Sequence, residues 1–213
     1  MNFRNLLASV AFLGLVLTAN FSAQAFDYSS TVGSSILFPG DATFSFSPGA
    51  SNFIVTSGSA SGLFGEITGT FSIGTITTSG DISTAPVTGI GGFLVHDGAF
   101  TLSASLVWID ITQDGTGGVL NLNGSVNLTG ITYGGSNPDL MALASAGSGL
   151  NALTFQFVPA LSLATLRNGP GPNSTSFSGS VAVPEPGSAA LIVFGLGVLT
   201  GAMVRSRAKN GTD

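Results

Sequence analysis

The chain holds one histidine, His96, followed directly by Asp97 and Gly98. An imidazole beside a carboxylate, in a chain rich in serine, supplies the parts of a nucleophilic triad. The same tripeptide has the composition of a tight hairpin turn, and no Gly-x-Ser-x-Gly elbow is present to expose a serine. Asp110 and Asp114 stand four apart, with Thr112 between them and Gly115 after. Oxygen ligands near a glycine turn suit Ca²⁺, but the alternating ligands and late glutamate of an EF-hand loop are missing, so a turn is the simpler reading. Paired carboxylates could cleave glycosidic bonds, yet linear order does not say which acids meet. Trp108 and Tyr133 are candidates for stacking on sugar rings. No residue is assigned as catalytic, none as a metal ligand, and no cofactor is expected.

The elements that must position these groups read as strands. Leu120, Leu122, Gly124, Val126 and Leu128 alternate with Asn121, Asn123, Ser125, Asn127 and Thr129. A period of two over ten residues marks a half-buried antiparallel strand. Phe100, Leu102, Ala104, Leu106 and Trp108 repeat it against Thr101, Ser103 and Ser105. This places Trp108 on the core face. Beyond Ser105 both faces are apolar (Val107, Ile109, Ile111), which predicts burial on both sides there. Residues 113–118 read as the connecting turn. Further strands are expected at Thr43–Ser47, Phe53–Thr56, Glu66–Thr77, Gly92–His96, Leu153–Val158 and Ser174–Val181, and one short helix at Pro138–Ala146. Many short strands joined by Gly/Ser/Asn turns predict an all-β body, an antiparallel β-sandwich or jelly roll. No lysine guards its edges, so strand addition between copies is a further expectation.

Charge narrows the partners. Between Phe26 and Ala182 lie eight acids (Asp27, Asp41, Glu66, Asp81, Asp97, Asp110, Asp114, Asp139) and one base, Arg167, a net charge of −7. Such a surface repels phosphate backbones, which argues against nucleic acid as a partner. The 213-residue chain has no cysteine, so neither a disulfide nor a thiol nucleophile is available.

Both ends differ from this body. Arg4 precedes an apolar run from Leu6 to Leu17, and Ala23-Gln24-Ala25 follows with small residues where signal peptidase requires them. We expect a signal peptide over 1–25, cleaved after Ala25, and a β-rich extracytoplasmic domain over 26–182. At the other end Val183-Pro184-Glu185-Pro186 precedes an apolar run, Ala189 to Val204, and then Arg205, Arg207 and Lys209. Sixteen residues rise about 24 Å as a helix, slightly short of a hydrocarbon core, a gap that snorkelling Arg205 helps close. A transmembrane helix over 189–204 is expected, with the basic cluster held in the cytoplasm by the positive-inside rule. The two prolines keep Glu185 extended, a conformation that protease clefts bind.

Pro184-Glu185-Pro186, an apolar helix and a basic end, in that order at the C-terminus and paired with a signal peptide, resemble the PEP-CTERM sorting signal of Gram-negative bacteria. The resemblance covers 183–209 and nothing in the body; Ser206, Ala208 and the tail Asn210 to Asp213 depart from a compact basic end. It implies processing by exosortase, a membrane cysteine transpeptidase or protease, with Pro184, Glu185 and Pro186 as the recognition motif. It also implies transient anchoring in the inner membrane, final placement at the cell surface or outside the cell, and association with exopolysaccharide and biofilm. The expected function is a non-enzymatic surface or matrix protein. A carbohydrate-binding module and a secreted hydrolase stand as alternatives.

Overall fold

A computed structural model describes residues 25–49, 51–115 and 121–183. The signal peptide up to Gln24 with Ala23, the tip of the 113–118 turn, Leu120, the motif Pro184, Glu185 and Pro186, the 189–204 run, and Arg205, Arg207 and Lys209 lie outside the described residues. No helix among the described residues is long and apolar enough to cross a membrane.

The described chain is mostly β-strand, and every strand pairing is antiparallel. Fourteen strands run in order: β1 (Ala25–Ser30), β2 (Ile36–Phe38), β3 (Thr43–Phe46), β4 (Phe53–Val55), β5 (Phe64–Thr68), β6 (Thr70–Ile73), β7 (Thr77–Ser79), β8 (Ile82–Thr88), β9 (Ile90–Asp97), β10 (Phe100–Asp114), β11 (Asn121–Thr132), β12 (Ser148–Phe155), β13 (Asn173–Thr175) and β14 (Phe177–Ala182). Helices α1 (Pro138–Ala146) and α2 (Leu163–Asn168) complete the set. The expected helix is α1, begun by Asn137, whose side chain accepts from the N–H groups of Asp139 and Leu140.

Alternation allows a sandwich or a jelly roll, but pairing between strands produces a closed ring. Strands β11, β12, β14, β1, β4, β5, β9 and β10 are neighbours in that order, and β10 pairs back onto β11. Closure satisfies the backbone groups of eight strands and removes their edges. A second sheet, β13-β2-β3-β6-β8, branches from the far half of β10. The strand-addition expectation is thereby narrowed to three-residue edges, β7 and β13.

The branch is built at a seam of bends. The predicted single strand Glu66–Thr77 is two strands, because Gly69 (φ 115°) turns the chain from β5 in the barrel to β6 in the second sheet. Gly89 (φ 129°) turns it back between β8 and β9. A side chain at Gly69 would come within 2.8 Å of Gly91 Cα, and one at Gly89 within 2.8 Å of the Thr70 carbonyl oxygen. Only glycine accommodates both the φ and the approach. At the same level β10 changes register between Trp108 and Asp110. This bulge corrects a second expectation. Trp108 and Ile111 are both buried, whereas Ile109 is 48% exposed, so the apolar run is one face shifted by a residue rather than two buried faces. The predicted strand Ser174–Val181 likewise divides at Ser176 into β13 and β14, and Leu153–Val158 starts earlier, at Ser148, and stops at Phe155.

The barrel is filled by side chains. Tyr28, Phe53 and Phe93 stack with ring centroids 4.7 and 5.1 Å apart. Phe53 and Tyr28 lie over Gly65 and Gly179, their register partners on the next strand, where a Cβ would overlap the ring. Tyr28 Oη donates to Asn151 Oδ1 at 2.9 Å within this apolar space. The second sheet packs phenylalanines against one barrel end, with Phe38 on Phe155 and Phe46 on Phe177. α1 covers the other end, where Leu143 lies beside Gly149 at the start of β12.

Candidate functional site

The structure disperses the residues that sequence singled out. His96 and Asp97 end β9 as neighbours, so they point to opposite faces. His96 Nδ1 lies 3.3 Å from Thr101 Oγ1 across the hairpin, and its buried Nε2 has no hydrogen-bond partner. Asp97 accepts a short hydrogen bond from Tyr133 Oη, which in turn accepts from the Asn137 N–H at 3.0 Å. Desolvation, and then the bond to Asp97, push the Tyr133 phenol above its ordinary pKa. Gly98 (φ 59°) turns the hairpin and sets Phe100 opposite Asp97. The tripeptide therefore serves the hairpin, and Asp97 ties it to the segment leading into α1.

Trp108 is 3% exposed, enclosed by Phe44 and Phe71, and presents no ring to a ligand. Asp110 and Asp114 lie along the extended strand β10, where four residues span about 13 Å. Ligands to one Ca²⁺ lie about 2.3–2.6 Å from it, so these two do not share an ion. Among the described residues no three His, Asp or Glu side chains gather. Other acids bond to protein donors: Asp27 to Ser57 Oγ at 3.0 Å, Asp139 to the Ala60 N–H at 3.0 Å, and Asp41 to Thr43 Oγ1 at 2.6 Å. The Thr43 hydroxyl holds the Asp41 carboxyl below its usual range. Arg167 donates through Nε to the carbonyls of Ile73 and Gly74, at 3.1 and 2.8 Å, stapling α2 to the end of β6.

What the fold does assemble is a polar cleft of about 1060 Å³ at the second-sheet end of the barrel. Its floor holds the outward residues Asn123, Thr154, Ser178 and Ser29, which are successive register partners across β11, β12, β14 and β1. Thr154 Oγ1 and Ser178 Oγ lie 2.9 Å apart. The row continues beyond the cleft through Thr112, Thr84 and Thr77 on β10, β8 and β7. One wall is residues 174–176, at and after β13; another is 156–158, joined to the first where Thr175 Oγ1 donates to the Gln156 carbonyl. Asp114 stands at the margin, and Val158 is fully exposed on the rim.

Sequence reading finds the outward Ser/Thr/Asn residues but not this row. Its members come from four strands separated by tens of residues, and only register brings them level. The paired residues on facing strands would have been the signal, and they are visible only once the neighbours are known.

No protein-family model, curated protein or solved structure matches the chain. Its class is the one its own strands define: an antiparallel all-β protein built around a closed eight-stranded barrel with a branched second sheet.

Proposed function

We propose that the chain is an exported, non-enzymatic surface or extracellular-matrix protein, released or transferred by exosortase at Pro184-Glu185-Pro186. The observation that carries this reading is the order of features in the sequence. A leader ending Ala23-Gln24-Ala25 opens the chain; the proline-flanked glutamate, the apolar run 189–204 and the basic residues Arg205, Arg207 and Lys209 close it. Signal peptidase and exosortase are its processing enzymes, the inner membrane its transient support, and exopolysaccharide its surroundings.

The body's boundaries support the reading. β1 begins at Ala25 and β14 ends at Ala182, and these two residues are paired in register. Cleavage after Ala25 and near Pro184 would cut at strand ends, giving up the terminal Ala25–Ala182 pair and keeping the β1–β14 register from Phe26–Val181 onward. Both cuts would fall at the barrel end covered by α1, away from the polar cleft.

Mass spectrometry of the exported protein, from cells with and without exosortase, tests this. The expected result is a C-terminus near Pro184 to Pro186 only when the enzyme is present. Recovery of the same C-terminus in both strains, or of an intact tail in both, overturns it. Replacing Glu185 with Ala is expected to leave the protein in the inner-membrane fraction.

A further inference from the structure

We propose that the cleft over Asn123, Thr154, Ser178 and Ser29 binds a segment of a neutral polysaccharide. The proposal concerns the body alone and does not depend on how the C-terminus is processed.

The chemistry of the floor selects the ligand. Serine and threonine hydroxyls and the asparagine amide each offer both a donor and an acceptor. Sugar hydroxyls are likewise both, so the two sets satisfy each other without an ion. The floor groups belong to adjacent strands and recur at about 4.8 Å, so four of them present a straight polar row about 14 Å long. An elongated, repeating polyol fits such a row better than a compact metabolite. The volume, about 1060 Å³, is at the upper end for a site that encloses a small molecule. Fully exposed Val158 on the rim offers an apolar contact for the C–H face of a sugar ring.

Charge excludes the other glycans. The residues lining the cleft include one carboxylate, Asp114, and no lysine or arginine. Arg167, the only lysine or arginine among the described residues, does not line the cleft; its Nε donates to the carbonyls of Ile73 and Gly74. A sulfated, phosphorylated or uronic-acid polymer would find no counter-charge and would meet Asp114. One carboxylate is also too little to select a polyamine sugar over water and salt. A peptide adding along β13 would have a three-residue template already tied through Thr175 to residue 156.

Affinity electrophoresis of the full exported chain tests the proposal, in gels cast with galactomannan, mixed-linkage β-glucan, dextran, alginate or chitosan. Retardation by at least one of the three neutral polymers is expected, insensitive to salt, and absent with alginate. Thr154→Val combined with Asn123→Ala is expected to weaken it roughly tenfold. Thr129→Val, on the outward face of β11 about 20 Å from Asn123, is expected to leave it unchanged. Melting curves establish that each variant is folded, and Ser178→Ala supplies a second floor variant should the double one unfold. The proposal is overturned by no retardation in any neutral gel. Salt-sensitive binding confined to chitosan, or equal retardation of the floor variants and wild type, overturns it as well.

Discussion

The barrel and the second sheet are built from the same residue types but solve packing differently. Inside the barrel, large rings sit over glycine: Phe53 over Gly65, Tyr28 over Gly179, and Trp108 over Gly124 at the seam. Closing eight strands leaves a narrow interior, and each ring is admitted by removing a side chain beside it. In the second sheet ring packs on ring throughout, a contact the barrel also makes at Tyr28, Phe53 and Phe93. Phe44 lies 5.4 Å from Phe38, 5.2 Å from Phe71 and 4.8 Å from Trp108. Gly65, Gly124 and Gly179 are thus halves of packing pairs, whereas Gly69 and Gly89 mark the bends at the seam.

The largest expected effect tests whether the two regions are one cooperative unit. Phe44→Ala removes the ring at the centre of the second-sheet stack and should cost about 3–5 kcal/mol in chemical denaturation. Because Trp108 and Phe155 belong to barrel strands and contact these rings, a single transition is expected. Two separate transitions would show that the second sheet is only appended.

Gly65→Ala should cost roughly 1–3 kcal/mol by overpacking against Phe53. Adding Phe53→Leu should recover part of that loss, so the double variant is more stable than the two single losses predict. Additive losses in thermal melts would refute the ring-over-glycine pairing. The alternation that marks these strands is visible in the sequence, and so is each glycine. Their partnership is not, because Phe53 and Gly65 meet only through the register of β4 on β5.

Tyr28 gives a smaller effect with a pH signature. Its complete burial raises the folded-state pKa well above the ordinary value near 10. A raised pKa favours the neutral phenol in the fold. That stabilisation is full below about pH 10 and lost progressively above it, as the unfolded chain ionises and the folded one does not. Tyr28→Phe should cost about 1 kcal/mol at neutral pH, because Asn151 loses its partner, and should flatten the stability decline above pH 10. A parallel decline in both proteins would contradict this assignment.

The smallest effect lies at the exposed start of β3. Thr43→Val should return the Asp41 carboxyl towards its usual pKa, read by NMR titration. The depressed pKa means that the pair's contribution is present above about pH 4 and fades as pH falls. No change would mean that the Asp41–Thr43 contact is not kept in solution.

The primary sequence by itself determined which residues face inward along most strands, the helix begun by Asn137, and the absence of disulfide and thiol chemistry. These are local properties: successive side chains on a strand must point to opposite faces, whatever the strand's neighbours. Only the tertiary structure decided that the sheet closes, that Gly69, Gly89 and the Trp108 bulge form one seam, and that Asn123, Thr154, Ser178 and Ser29 become one row. Those outcomes depend on pairing between segments far apart in the chain. Register there is settled by which rings and glycines fit across the interface, and no short window of sequence contains both sides of that fit.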